Sequence, residues 1–216
     1  AILSSATSLH NHLFSDTKIE ILKNGPDYYK VVQLQDIESY VQRDRKRPAR
    51  DAKVGMLPPK LAQILINLCG DLPEGTRLLD PFCGTGVVLQ EATLIGYVPY
   101  GTDLSERMVE YSKRNLEWLK DKEGSNKRSN EQNIVKITTF LEKAECEVGD
   151  AQNFQWQMPV GAVACETYLG PPMSQAPVDI KLKQAKQECK GIIIGFLKNL
   201  AKQIDPEMPV GIAGPA

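Results

Sequence analysis

The spacing of apolar residues changes period along the chain, and each change marks an element. Lys18-Ile19-Glu20-Ile21 alternates polar with apolar, Asn24-Gly25-Pro26-Asp27 supplies turn chemistry, and Tyr29 to Val32 resumes the apolar pattern, so residues 18–32 read as a hairpin. Residues 43–53 (Arg43-Asp-Arg-Lys-Arg-Pro-Ala-Arg50-Asp-Ala-Lys53) then place six basic and two acidic side chains in eleven positions. That stretch is too polar for a core and reads either as a solvated linker or as a strip that contacts phosphate.

From Pro58 onward helical and strand periods alternate. Pro58-Pro59 opens a helix, where a missing N–H is harmless, and Leu61, Ile64, Leu65 and Leu68 fall on one face. A strand is expected at 77–79 and a helix at 87–95. A second strand at 97–102 leads to a helix capped by Ser105, running to Leu119 with Met108, Tyr111 and Leu119 inward. Residues 121–133, rich in Lys, Ser, Asn and Glu, read as a mobile loop. Short apolar strands follow at 145–148 and 160–165. Residues 179–204 then form a long helix, with Ile180, Ala185, Cys189, Ile192, Ile193, Phe196 and Leu200 available to pack and Pro206 as terminator. A fifth strand is expected at 210–213.

Five alternations of strand with helix imply an α/β fold with a doubly wound, mostly parallel sheet, whose ligand sits beyond the carboxyl ends of the strands. The expected organisation is an N-terminal hairpin appendage and basic linker over 1–53, then a ligand-binding domain over 54–216. The chain opens without Met and closes on what reads as a strand cut short, so a fragment lacking C-terminal strands is expected.

Composition narrows the function classes. With 216 residues, 42% hydrophobic and 25% charged, the chain has room for one sizeable core. Its 26 basic and 27 acidic side chains give net charge −1, so a nucleic-acid role would rest on a local patch. Five cysteines without a CxxC pair argue against a disulfide framework and for a reducing, cytoplasmic setting. No apolar run approaches the roughly 20 residues that span a bilayer, so no membrane association is expected. His10 and His12 have no acidic or Cys companion, and no metal site is expected.

The sharpest local signal is Asp80-Pro-Phe-Cys-Gly84-Thr-Gly86, between a strand and a helix, where glycines let backbone N–H groups approach a ligand. A dinucleotide fingerprint would need glycine at Leu89, and no Gly-Lys-Ser/Thr phosphate loop is present. Asp80 would repel a pyrophosphate and suits an ammonium group. Asp103, closing the next strand, is placed for a ribose diol, and Asp150, closing the third, for an adenine amino group. Three acids at three successive strand ends match the amino acid, sugar and base of S-adenosyl-L-methionine. Phe82 and Leu104, beside the first two acids, belong to the expected cofactor shell. Cys83 and Cys165 lie at strand ends, but neither follows a proline as a pyrimidine C5 methyltransferase nucleophile would, so both are expected as small buried hydrophobes.

These residues resemble motif I of the class I, Rossmann-like methyltransferases that modify exocyclic amines of nucleic-acid bases. The string from Val32 to Leu68, with Arg47-Pro-Ala-Arg50-Asp51 and Gly55-Met-Leu-Pro58-Pro-Lys-Leu-Ala-Gln63, is similar to the tRNA guanosine-N2 methyltransferase family, whose members often carry a THUMP RNA-binding domain ahead of the catalytic domain. The resemblance implies that Pro58, Pro59 and Lys60 close one side of the cofactor pocket and that Asp80, Gly84 and Gly86 hold the methionine end. It assigns Asp103 to the ribose and Asp150 with Ala151 to the adenine.

It also implies an Asp/Asn-Pro-Pro-Tyr motif after the fourth strand, where this chain has Cys165-Glu166-Thr-Tyr168-Leu-Gly170-Pro-Pro172. Glu166 is therefore the expected acceptor for the amine and Tyr168 the residue that stacks on the base. The implied substrate is tRNA, with a partner or further domain supplying RNA-binding surface. Two other readings stay open: a DNA adenine-N6 or cytosine-N4 methyltransferase, and a catalytically silent cofactor- and RNA-binding subunit.

Overall fold

The computed structural model describes residues 21–30, 36–51, 56–124, 131–171 and 179–215. The chain divides into two compact units, Ala1–Ser39 and Tyr40–Ala216. In the first, β1 (Ile21–Asn24) and β2 (Asp27–Lys30) pair antiparallel around the Gly25-Pro26 turn, in the register Asn24↔Asp27. The hairpin expectation holds there; residues 18–20, 31 and 32 lie outside the described residues, as do residues 1–14 with both histidines.

Helix α1 (Ile37–Arg45) was not anticipated, and it corrects the reading of the basic stretch. Arg43 and Arg47 are buried, whereas Arg45, Lys46 and Arg50 face solvent. A phosphate strip or solvated linker therefore cannot include Arg43 or Arg47. Ala52 and Lys53 lie outside the described residues.

The larger unit carries α2 (Pro59–Asn67), β3 (Arg77–Asp80), α3 (Val87–Ile95), β4 (Val98–Asp103), α4 (Glu106–Gly124), α5 (Glu131–Glu142), β5 (Glu145–Val148), β6 (Ala162–Glu166), α6 (Asp179–Leu200) and β7 (Val210–Ala213). Every pairing in its five-stranded sheet is parallel, in the order β5-β4-β3-β6-β7. The chain winds outward from β3 in one direction to β5 and in the other to β7. The ligand crevice of such a sheet opens where the winding reverses, beyond the carboxyl ends of β3 and β6.

Adjacent residues of the central strands feed opposite layers, as the two-residue period requires. Leu78, Ala162 and Ala164 pack under α2 and α3 with Ala62, Leu65, Ile66 and Ala92. Leu79, Val163 and Cys165 pack on the other face with Trp156, Phe196 and Leu200. The inward face of α2 differs from the expected one. Ala62, Leu65, Ile66 and Cys69 are buried, while Leu61, Ile64 and Leu68 are exposed. Both stripes have helical spacing, but only the one containing small Ala62 lets the helix descend onto the sheet. The approach is so close that a Cβ on Gly211 would lie 2.2 Å from the Leu65 carbonyl oxygen.

Three further expectations are adjusted. The expected loop at 121–133 is helical at both ends, in α4 and α5, and residues 125–130 lie outside the described residues. Tyr111 is half-buried rather than internal, and Ile180 is 71% exposed. Among the described residues no helix is long and apolar enough to cross a membrane.

Candidate active site

Parallel pairing brings the strand-end acids level with one another. Asp80 pairs with Gly101, two residues before Asp103, and Asp103 pairs with Val148, two residues before Asp150. On the other side of β3, Leu79 pairs with Val163, so Glu166 extends slightly beyond Asp80. All four acids line a single cleft of about 1180 Å³.

The same cleft takes in Pro58, Phe82, Gly84, Leu104, Ala151 and Tyr168, so ten of the thirteen residues assigned to cofactor or catalysis from the sequence meet there. Gly86 does not face it. As the residue before α3 it adopts φ 78°, and a Cβ there would lie 2.9 Å from Ser112 Oγ, so it serves the close packing of α3 against α4. Pro59 is buried and Lys60 exposed, neither on the lining, and Pro172 lies outside the described residues.

The glycine-rich turn and Asp103 hold each other. Asp103 Oδ2 accepts from the Gly84 N–H at 2.9 Å and Oδ1 from the Ser105 N–H at 2.9 Å. Both oxygens keep a lone pair for a ligand. Asp80 accepts from the Phe82 N–H at 3.0 Å and is otherwise walled in at 2% exposure. Burial, reinforced by nearby Asp103 and Glu166, holds its carboxyl well above the usual range despite that N–H. Burial likewise raises Asp103 and Glu166. Asp150 Oδ1 accepts from the Gln152 N–H at 2.9 Å, and the carbonyl of buried Ala151 accepts from Asn199 Nδ2 at 3.0 Å.

Apolar surface accompanies these polar groups. Leu104 is 73% exposed over the cleft, and the Phe82 ring stands edge-on to Phe196 at 5.0 Å. Among the described residues, the charged side chains on the lining are Asp80, Asp103, Asp150, Glu166 and Glu188 against Arg107, which pairs with Asp51 at 2.7 Å. A cleft of that sign is matched to a cation with hydroxyl and amino groups. Cys83 and Cys165 are buried, with thiols pushed well above their ordinary value by burial, so neither offers a nucleophilic thiolate. Among the described residues no group of three His, Cys, Asp or Glu side chains could hold a metal.

Sequence reasoning missed Glu188 and Arg107, whose only local signal is an unremarkable charge on a helix, and it missed what lies behind the glycine turn. Asn115, fully buried on α4, donates to the carbonyls of Ala49 and Thr85 at 2.8 Å each and accepts from the Ala49 N–H at 3.0 Å. Arg43 and Gln63 converge on the buried Glu91 of α3, and Tyr40 donates to Gln63. The segment before α2 is thus bonded to the back of the ligand loop.

Residues 45–185, more than half the chain, match the RMKL-like methyltransferase domain family. The chain is 49% identical over 63 residues to a tRNA (guanine(10)-N2)-dimethyltransferase from Methanothermobacter thermautotrophicus, covering 29% of this chain and 18% of that protein. It is 39% identical over 100 residues to the protein of that name from Methanocaldococcus jannaschii, covering 46% and 28%. These matches therefore take in less than a third of either relative's length. TrmN from Thermus thermophilus superposes with TM-score 0.51 at 19% identity, over 91% of this chain and 48% of that one, which shows a shared fold.

Proposed function

Because the chain belongs to the RMKL-like methyltransferase domain family, we propose that it transfers a methyl group from S-adenosyl-L-methionine to the N2 amine of a guanosine in tRNA. The observation that carries this reading is the convergence of Asp80, Asp103, Asp150 and Glu166 on one cleft. Its acidic lining complements a sulfonium and an ammonium, and three of its acids, Asp80, Asp103 and Asp150, are held by backbone N–H groups with lone pairs to spare. Asp80 and Gly84 would hold the methionine end, Asp103 the ribose, and Asp150 with Ala151 the adenine, between Pro58, Phe82 and Leu104. The bound cofactor supplies a methyl group already activated on sulfur.

The chain's remaining task is to position and deprotonate an amine whose lone pair is delocalised into its ring. Glu166 would accept an N–H bond, tip the amine toward tetrahedral geometry and take the proton it loses as its bond to the methyl forms. Tyr168 would stack on the extruded base. The activity named for the two relatives supports tRNA over DNA as substrate. Exposed Arg45, Lys46 and Arg50 are the members of the basic stretch suited to phosphate contact, with further RNA-binding surface supplied by a partner or another domain. A tRNA-modifying role and five free thiols fit a cytoplasmic setting.

The test is transfer of labelled methyl groups from S-adenosyl-L-methionine to unmodified tRNA, followed by nucleoside mass spectrometry. N2-methylguanosine is expected. Methylated adenosine or cytidine would overturn the base assignment, and cofactor and tRNA binding without transfer would favour a silent subunit.

A further inference from the structure

Part of the cleft lining has no cofactor role. Its lining takes in Glu166, Thr167, Tyr168 and Leu169 at and beyond the end of β6, together with Glu188 and Ile192 of α6. Thr167 offers no donor there, because its N–H and its hydroxyl both donate to the Ala213 carbonyl, at 2.8 and 3.1 Å. What remains on the described side chains is one phenol and two carboxylates, which are acceptors when ionised. Glu188 is exposed at the rim with Cys189, its neighbour, buried beneath Gly170. It stands near enough to Tyr168 that its charge adds to burial in raising that phenol.

A planar ligand against these residues meets acceptors and an exposed apolar side chain, Leu169. Among the bases, guanine presents adjacent N–H donors, N1–H and N2–H, on one edge and can pair both with a single carboxylate. Adenine at N1 and cytosine at N3 would instead turn a lone pair toward it. Resting on the guanosine reading above, we propose that Glu188 is the residue that selects guanine, accepting from N1–H and one N2–H while Glu166 accepts from the other N2–H. Glu188 then binds and discriminates, and Glu166 remains the group that takes the proton.

The test compares wild type, Glu188→Ala and Glu188→Gln. First, wild type methylates unmodified tRNA and the modified position is mapped. Synthetic RNAs then carry guanosine or 2-aminopurine riboside at that position; the analogue keeps the 2-amino group but has a lone pair at N1. Wild type is expected to prefer guanosine by roughly ten- to a hundred-fold in kcat/KM, the discrimination of one bidentate pair. Glu188→Ala is expected to lose most of that preference while binding S-adenosyl-L-methionine with unchanged affinity, and Glu188→Gln to retain only part of it. An alanine variant that keeps wild-type kcat/KM and preference overturns the role of Glu188 and leaves the methyltransferase reading standing. A wild type that transfers nothing to tRNA overturns both.

Discussion

The Nε of Arg43 lies 2.6 Å from Oε1 of Glu91, with both side chains withdrawn from solvent, and Gln63 Nε2 reaches the second carboxylate oxygen at 2.7 Å. The pair joins α1 to the helix that follows the glycine-rich turn. Removing one partner strands the other charge, so Arg43→Ala should cost about 3–5 kcal/mol. Urea denaturation measures this, and a loss below about 1 kcal/mol would show that the pair is dispensable.

Asp80 should cost the ligand-free protein stability. Its carboxyl sits well above the ordinary value of 3.8, chiefly through burial. Between the ordinary and the raised value, the folded protein holds a proton that the unfolded chain has released. Stability therefore falls as pH rises through that window and levels off above it. Asp80→Asn keeps an oxygen for the Phe82 N–H and has no charge to desolvate. It should be more stable at neutral pH by on the order of 1 kcal/mol and bind S-adenosyl-L-methionine more weakly. Denaturation midpoints across pH decide the first point, and a variant that keeps the full wild-type decline would refute it.

Asp103 is the proposed ribose acceptor and also the anchor of the Gly84 N–H. Asp103→Ala should weaken S-adenosyl-L-methionine binding by about 1–3 kcal/mol, the cost of leaving hydroxyl partners unmatched. Calorimetry showing unchanged affinity removes it from the site.

Glu166 works only when ionised, and burial raises its pKa above the ordinary 4.5. Turnover should therefore rise with pH through a limb centred above that value. Glu166→Gln should lower kcat much more than cofactor affinity and abolish the limb. Equal losses in kcat and cofactor affinity would point to a structural role instead.

Local chemistry made much of the fold legible. Helix 87–95 and strand 210–213 appear at the expected residues because each is bracketed by strong signals: glycines at 86 and 96 in the left-handed region, and prolines at 209 and 215. The strand-end acids were legible for a related reason. In a parallel sheet, residues closing consecutive strands face one crevice, so their order along the chain specifies their meeting. Helix 131–142 escaped notice because it buries no residue completely and carries no capping signature strong enough to offset its polar approach.

Sequence alone thus determined that strands and helices alternate, that the strands are covered on both faces, and that Asp80, Asp103 and Glu166 end them while Asp150 follows two residues after one. These follow from period, turn chemistry and chain order, which are properties of neighbours. Tertiary structure alone decided which stripe of α2 turns inward, that Gly86 packs on Ser112, that Arg43 is buried, and that Glu188 reaches the cleft. In each case the deciding partner is far away in sequence. A charge beside its counter-ion and a charge in water look the same in a local window, and only folding brings Glu91 to Arg43.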